Sequence, residues 1–154
     1  MAHKMAHKNV TEEARTFGAL LRLPYQKLQQ QVYTQLAANG FEDIRPAHSN
    51  VFRYILPAGS RVTELAERAE MTKQSMAYLV NYLEEHGYVT QMADPLDGRA
   101  KLVQLTPRGV AVQQTALEFS QQVEDQLARH IGKQHMKQLR SLLELVVDNL
   151  DRLE

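Results

Sequence analysis

The ten residues Asp97-Gly98-Arg99-Ala100-Lys101-Leu102-Val103-Gln104-Leu105-Thr106 constrain the fold more than any other part of the chain. Asp97-Gly98 is a turn-forming pair, as is Asp94-Pro95 just before it, and glycine tolerates the positive φ that tight turns demand. Lys101 to Leu105 alternates as a half-buried strand does, and Thr106-Pro107 is an N-cap followed by proline at the first helical position. The stretch therefore reads as a hairpin tip, a returning strand and a helix start. Tyr88 to Met92 supplies the outgoing strand, and Thr63 to Tyr88 reads as two short helices joined by a turn. Helix, turn, helix, strand, tip and strand in that order describe a winged helix-turn-helix. The expected fold class is mainly α with a small β-wing.

The two central helices carry their own signals. Thr63 is expected to cap the helix that holds Leu65, Ala66 and Ala69, and Thr72 the next one. In that second helix Met76, Leu79, Val80 and Leu83 fall at i, i+3, i+4 and i+7, which fixes one buried face. The opposite face then presents Gln74, Tyr78, Asn81 and Glu85, flanked by Ser75, Ala77 and Tyr82. A polar helix that fits a major groove beside a hairpin that reaches a minor groove makes double-stranded DNA the expected partner. Gln74 suits a bidentate contact to adenine, Ser75 a base or phosphate, and Ala77 a thymine methyl group. Thr72 and Lys73 stand at the helix start, where free N–H groups favour a phosphate. Tyr78 and Asn81 can reach a base edge or the backbone. On the wing, Arg99 is expected to point outward from the tip into a minor groove, with Asp97 orienting its guanidinium and Lys101 beside it.

Outside this reading head the chain is helical by pattern. The opening Met-Ala-His-Lys repeat has no apolar periodicity, so residues 1–10 are expected to be a disordered leader. A long helix is expected from Thr11, its N-cap, to about Ala38, interrupted at Pro24 and stopped by Asn39-Gly40. A second starts at Pro46 and carries Val51, Phe52, Ile55 and Leu56, and Arg61-Val62 is a candidate short strand. Two more run from about Pro107 to Arg129 and from about Lys133 to Arg152. Residues 11–44 and 107–154 thus form a helical dimerisation region around a DNA-binding region at 45–106, all one structural unit. The terminal helices carry apolar stripes too long for the reading head to cover. A two-fold dimer of interleaved helices would bury them, although they could also pack on each other in a monomer.

Composition removes several functions. With 154 residues, 44% hydrophobic and 23% charged, the chain has ordinary globular make-up. No apolar run approaches the ~20 residues that span a bilayer, so no membrane partner is expected and a cytoplasmic location is. There is no cysteine, which excludes disulfides and thiolate metal sites. His130 and His135 straddle an expected helix break, while His48 and His86 stand alone, so no metal is expected. No phosphate loop, nucleophile elbow or HExxH occurs, so neither enzyme activity nor a cofactor is expected. Net charge is +0, and the reading head is not basic. Arg61, Arg68, Lys73, Arg99, Lys101 and Arg108 face Glu64, Glu67, Glu70, Glu84, Glu85, Asp94 and Asp97. Only the placement of these charges can favour DNA.

Several of these residues also resemble a known family. Asp97-x-Arg99, followed by Leu105-Thr106, resembles the wing signature of the MarR (multiple antibiotic resistance regulator) family. Thr63-Glu64-Leu65-Ala66, Met71-Thr72-Lys73-Gln74-Ser75, Leu83-Glu84-Glu85-His86-Gly87-Tyr88-Val89 and Asp94-Pro95 are similar to its reading head. The resemblance covers about residues 45–109 and implies a homodimeric transcription factor, usually a repressor, on a palindromic operator. It also implies a small anionic or aromatic effector, bound between the dimerisation helices and the reading head. Arg22, Tyr25, His48, Phe52 and Arg53 are the expected lining, offering ring stacking and a charge-assisted bond to a carboxylate. The alternative is a winged-helix module that binds protein without specific DNA binding.

Overall fold

A computed structural model describes residues 15–153, and the leader at residues 1–10 and the Thr11 cap lie outside the described residues. The first described helix, α1 (Phe17–Ala38), opens at Thr16, whose hydroxyl oxygen accepts the Ala19 N–H at 3.4 Å. Pro24 lies inside α1 without interrupting it, contrary to the sequence expectation. Proline removes one backbone donor, and at this exposed position water can satisfy the orphaned carbonyl while packing on a later helix holds the axis. Asn39 and Gly40, with φ of 89°, stop the helix.

A 3₁₀ turn at Pro46–His48 leads into α2 (Ser49–Tyr54). Strand β1 (Ser60–Arg61) and helix α3 (Val62–Arg68) follow. Thr63 does not cap α3, as expected, but lies within its first turn. The N-cap is Arg61, whose N–H donates to Glu64 Oε2 at 2.9 Å. A glutamate at the third helical position reaches back to accept the N-cap residue's own N–H, which anchors the helix start without a hydroxyl cap. Helix α4 (Lys73–Glu85) is capped by Thr72 as expected, the hydroxyl oxygen accepting the Ser75 N–H at 3.1 Å. Its Met76, Leu79, Val80 and Leu83 are all buried, against a core of Leu36, Ile44, Val51, Leu65, Tyr88, Val89, Val103 and Val112.

The wing is β2 (Val89–Asp94) and β3 (Asp97–Leu105), and the antiparallel sheet runs β1-β3-β2. The hairpin does not turn at Asp97-Gly98. Asp94 pairs with Asp97, so the turn is Pro95-Leu96, and Gly98 is not among the glycines with positive φ. Proline presets the first turn position, and a buried aspartate before it closes the turn, so Asp94-Pro95 outcompetes Asp97-Gly98. The ladder then jumps from Asp94↔Asp97 to Ala93↔Lys101. Gly98, Arg99 and Ala100 form a bulge on β3.

Thr106 begins α5 (Pro107–Ile131), accepting the Gly109 N–H at 3.1 Å and donating to Gly87 O at 2.6 Å. Only glycine fits at 109, because a Cβ there would sit 2.1 Å from Tyr88 O. Tyr88 is buried, donates to Asp43 Oδ1 and accepts from Arg108 at 3.0 Å; burial, with the Asp43 bond, pushes its phenol up to about 12. Helix α6 (Lys133–Val147) ends short of the expected Arg152, which falls in a separate 3₁₀ turn, Leu150–Arg152. Helix α1 packs on α5, and Arg140 joins α6 to α5 through both oxygens of Glu124 at 3.0 Å. No helix among the described residues is long and apolar enough to cross a membrane.

Candidate nucleic-acid interface

Helix α4 turns its polar face outward as its periodicity requires. Thr72, Lys73, Gln74, Ser75, Asn81 and Glu85 are exposed, Ala77 is half-buried, and Tyr78 is 73% exposed. Thr72 and Ser75 are linked hydroxyl to hydroxyl at 2.9 Å, which leaves the helix start pre-formed.

Asn81 is tied to the wing. Gln91 on β2 donates to Asn81 Oδ1 at 3.0 Å and to Glu84 Oε2 at 2.7 Å, and its backbone N–H meets Glu84 Oε1 at 2.9 Å. Helix and wing are therefore set relative to each other by one side chain, and the Asn81 amide nitrogen remains directed by that bond. Sequence reasoning missed Gln91, since a lone glutamine on a strand carries no motif.

The wing is built on Arg61. Its Nε and Nη2 each lie 2.7 Å from Asp94 Oδ2, while Asp94 Oδ1 accepts the Leu96 N–H at 2.8 Å. The Leu96 N–H and then the Arg61 guanidinium hold the Asp94 carboxyl below its ordinary value. Asp97 does not orient the Arg99 guanidinium, as expected from sequence. Its Oδ1 accepts the Arg99 backbone N–H at 3.1 Å and its Oδ2 lies 3.9 Å from Arg61. The bulge brings the backbone, not the side chain, of Arg99 back to Asp97. The Arg99 and Lys101 side chains are exposed on β3.

The charges of the reading head now separate into two sets. Arg61 serves the wing turn, Arg68 donates to Tyr54 O and Ser60 Oγ at 3.1 Å each, and Arg108 lies over the Tyr88 ring at 4.6 Å. Asp94, Glu64 and Glu84 are likewise engaged within the fold. Lys73, Arg99 and Lys101 have no side-chain partner among the described residues. The three uncommitted cations thus stand at the start of α4 and on the wing. A neutral composition is compatible with a positive edge at these three positions because Glu64, Glu84 and Asp94 are engaged within the fold, while Glu67, Glu70 and Glu85 stay exposed.

The expected effector lining divides. His48 is 5% exposed, its Nδ1 accepting the Arg45 N–H at 2.9 Å and its ring stacked on Tyr82 at 4.6 Å, which stacks in turn on His86 at 4.0 Å. Phe52 packs edge-on against Tyr88 at 6.3 Å. Both belong to the interior, because an aromatic ring at this junction of α2 and α4 gains more from burial than from exposure. Tyr25 and Arg53 lie on the open side and are hydrogen-bonded to each other, which raises the Arg53 pKa. Arg22 is also on α1 and donates to Gln26 at 2.9 Å.

The MarR family model matches residues 42–100. No curated protein matches the chain in sequence. Among solved structures, a transcriptional regulator from Thermotoga maritima is 24% identical with a TM-score of 0.65, over 88% of this chain and 94% of its own. Wild-type MarR from E. coli is 23% identical at 0.70, over 85% and 96%. The transcriptional repressor CouR, solved bound to a 23-mer DNA duplex, is 21% identical at 0.69, over 92% and 99%. The family match spans the reading head, and the likeness to these structures extends the winged-helix fold beyond the matched segment.

Proposed function

We propose that the chain is a sequence-specific DNA-binding transcriptional regulator that acts in the cytoplasm as a homodimeric repressor. The observation that carries this reading is the position of the uncommitted cations: Lys73 on the first turn of α4, and Arg99 and Lys101 on the wing. They flank an outward face of Gln74, Ser75, Tyr78 and Asn81, which suits base edges and backbone alike. Two half-sites about one helical turn apart would match a two-fold dimer. CouR, bound to a DNA duplex and with the same fold, supports the reading.

Dimerisation is supported by what a single chain leaves open. Helix α6 buries no residue; Leu139, Leu142, Leu143 and Val146 stand exposed along one stripe, and Phe17, Leu20 and Leu21 do so on α1. Apolar area of this extent on consecutive helices fits an obligate two-fold interface. For effector release, the Tyr25–Arg53 pair is the part of the expected lining still open to a small aromatic anion, with Arg22 on the same helix. Such a ligand must favour the DNA-incompetent geometry by ~3 kcal/mol to lower occupancy about a hundredfold.

The test is fluorescence anisotropy of the purified protein against duplex DNA from upstream of its own gene, with a scrambled duplex as control, across a salt series. Selective binding that weakens steeply with salt supports the regulator. Equal weak binding to both, with salt-insensitive capture of a protein partner, would favour the interaction-module reading.

A further inference from the structure

We infer that Leu96, at the apex of the wing, is an apolar contact to the walls of a DNA minor groove, separate from the charge supplied by Arg99. The inference rests on the DNA-binding reading above. A single exposed leucine is ordinary on a protein surface; the place of this one is not. It is 94% exposed and forms the turn itself, with Pro95 before it fixing the backbone. Its N–H is held by Asp94 Oδ1 at 2.8 Å, and Asp94 is in turn held by Arg61. An otherwise flexible tip is thus fixed from inside the fold, so little ordering entropy is lost when it is seated against a partner.

The fold makes no use of the side chain it fixes so firmly. Leu96 is absent from the buried core and from the partly buried residues packed on it. Three residues on, the bulge at Gly98–Ala100 carries Arg99 at the same end of the hairpin. A minor groove offers two chemistries, a focused negative potential and walls of deoxyribose C–H groups. Arg99 answers the first and Leu96 the second. The leucine contributes apolar burial without displacing phosphate counterions, so its share of affinity is independent of salt, whereas that of Arg99 is not.

The experiment uses the full chain and a duplex enriched from a random-sequence pool by the wild-type protein, with affinity measured by anisotropy over a salt series. Leu96→Ala is expected to weaken binding roughly tenfold at every salt concentration, leaving the slope of log affinity against log salt unchanged. Arg99→Ala is expected to reduce both affinity and slope, and Leu96→Met to stay near wild type. The thermal midpoint of Leu96→Ala should match wild type, since the side chain packs on nothing. Undiminished affinity of Leu96→Ala overturns the inference. So does a slope reduced as in Arg99→Ala, which would mean that Leu96 acts only by positioning the arginine. A wild-type protein that enriches no duplex would overturn the DNA reading itself, and the wild-type measurement alone separates that failure from the other two.

Discussion

Asp94 and Arg61 are joined through a single carboxylate oxygen, Asp94 Oδ2, which lies 2.7 Å from both Nε and Nη2 of the guanidinium. The pair ties the end of β2 to the residue that caps α3, across thirty-three positions of sequence. The other oxygen, Oδ1, closes the wing turn at Leu96. One buried carboxylate therefore joins the helix-turn-helix to the wing and fixes the wing's apex.

Removing that carboxylate should loosen the wing without unfolding the core. Asp94→Ala is expected to raise the amide hydrogen exchange rate of Leu96 by roughly an order of magnitude, as a charge-assisted bond is lost. Exchange at Val80 in the buried face of α4 should be unaffected. Because the folded pKa of Asp94 is depressed, its contribution is present above the unfolded value of 3.8 and is lost only as pH falls through the still lower folded value. The wing of the wild-type protein should keep its Leu96 protection throughout the mildly acidic range.

His48 titrates in the opposite sense. Burial, and then the nearby Arg45 cation, hold it below the ordinary 6.5, with Asp43 opposing and His86 adding to the effect. Its Nδ1 faces the Arg45 N–H, so a proton there would set donor against donor. The unfolded chain takes up this proton first. The stability contribution is complete above pH 6.5 and declines as pH falls below it towards the folded pKa. Urea unfolding midpoints at a series of pH values should show the decline, and His48→Gln should flatten it.

Gly109 is a steric requirement. Gly109→Ala would set a methyl group against the Tyr88 carbonyl, forcing α5 off the sheet. A loss of about 1–3 kcal/mol is expected by chemical denaturation, the usual cost of overpacking. A variant as stable as wild type would mean that α5 does not sit this closely on Tyr88.

On DNA, Lys73→Ala should weaken binding to all sequences evenly and reduce the salt slope by about one per contact removed. Arg99→Ala should cost about 1–3 kcal/mol of operator affinity with the dimer intact, and Gln74→Ala should chiefly relax base preference at one position of each half-site. Competition with single-base operator variants distinguishes these outcomes.

The proposed dimer is tested at Leu142, which is 61% exposed in the single chain. Leu142→Asp would place a charge within the proposed interface, and light scattering should report monomers at micromolar concentration. A variant that remains dimeric would remove α6 from the interface.

Much of the reading head could be read from residue order. The i, i+3, i+4, i+7 spacing of Met76, Leu79, Val80 and Leu83 fixed which face of α4 turns inward, and Thr72 and Thr106 fixed two helix starts. Periodicity and capping are local, so sequence expresses them directly. The apolar stripe of α6 was equally visible, and its exposure in the single chain agrees with that pattern.

Two turn signals in competition were not resolved by sequence. Asp94-Pro95 and Asp97-Gly98 are both turn-forming pairs by residue type, and the choice fell to Asp94 because Arg61, far away in the chain, neutralises its buried charge. The same kind of remote pairing sorted the cations, leaving Lys73, Arg99 and Lys101 uncommitted, and drew His48 and Phe52 into the interior while Tyr25 and Arg53 stayed outside. Residue type and spacing settle what a segment prefers to be and which of its faces seeks burial. Which charges are spent on the fold, and which apex the wing presents, depend on partners brought together only by packing, because an ion pair acts over a few ångströms of space regardless of separation along the chain.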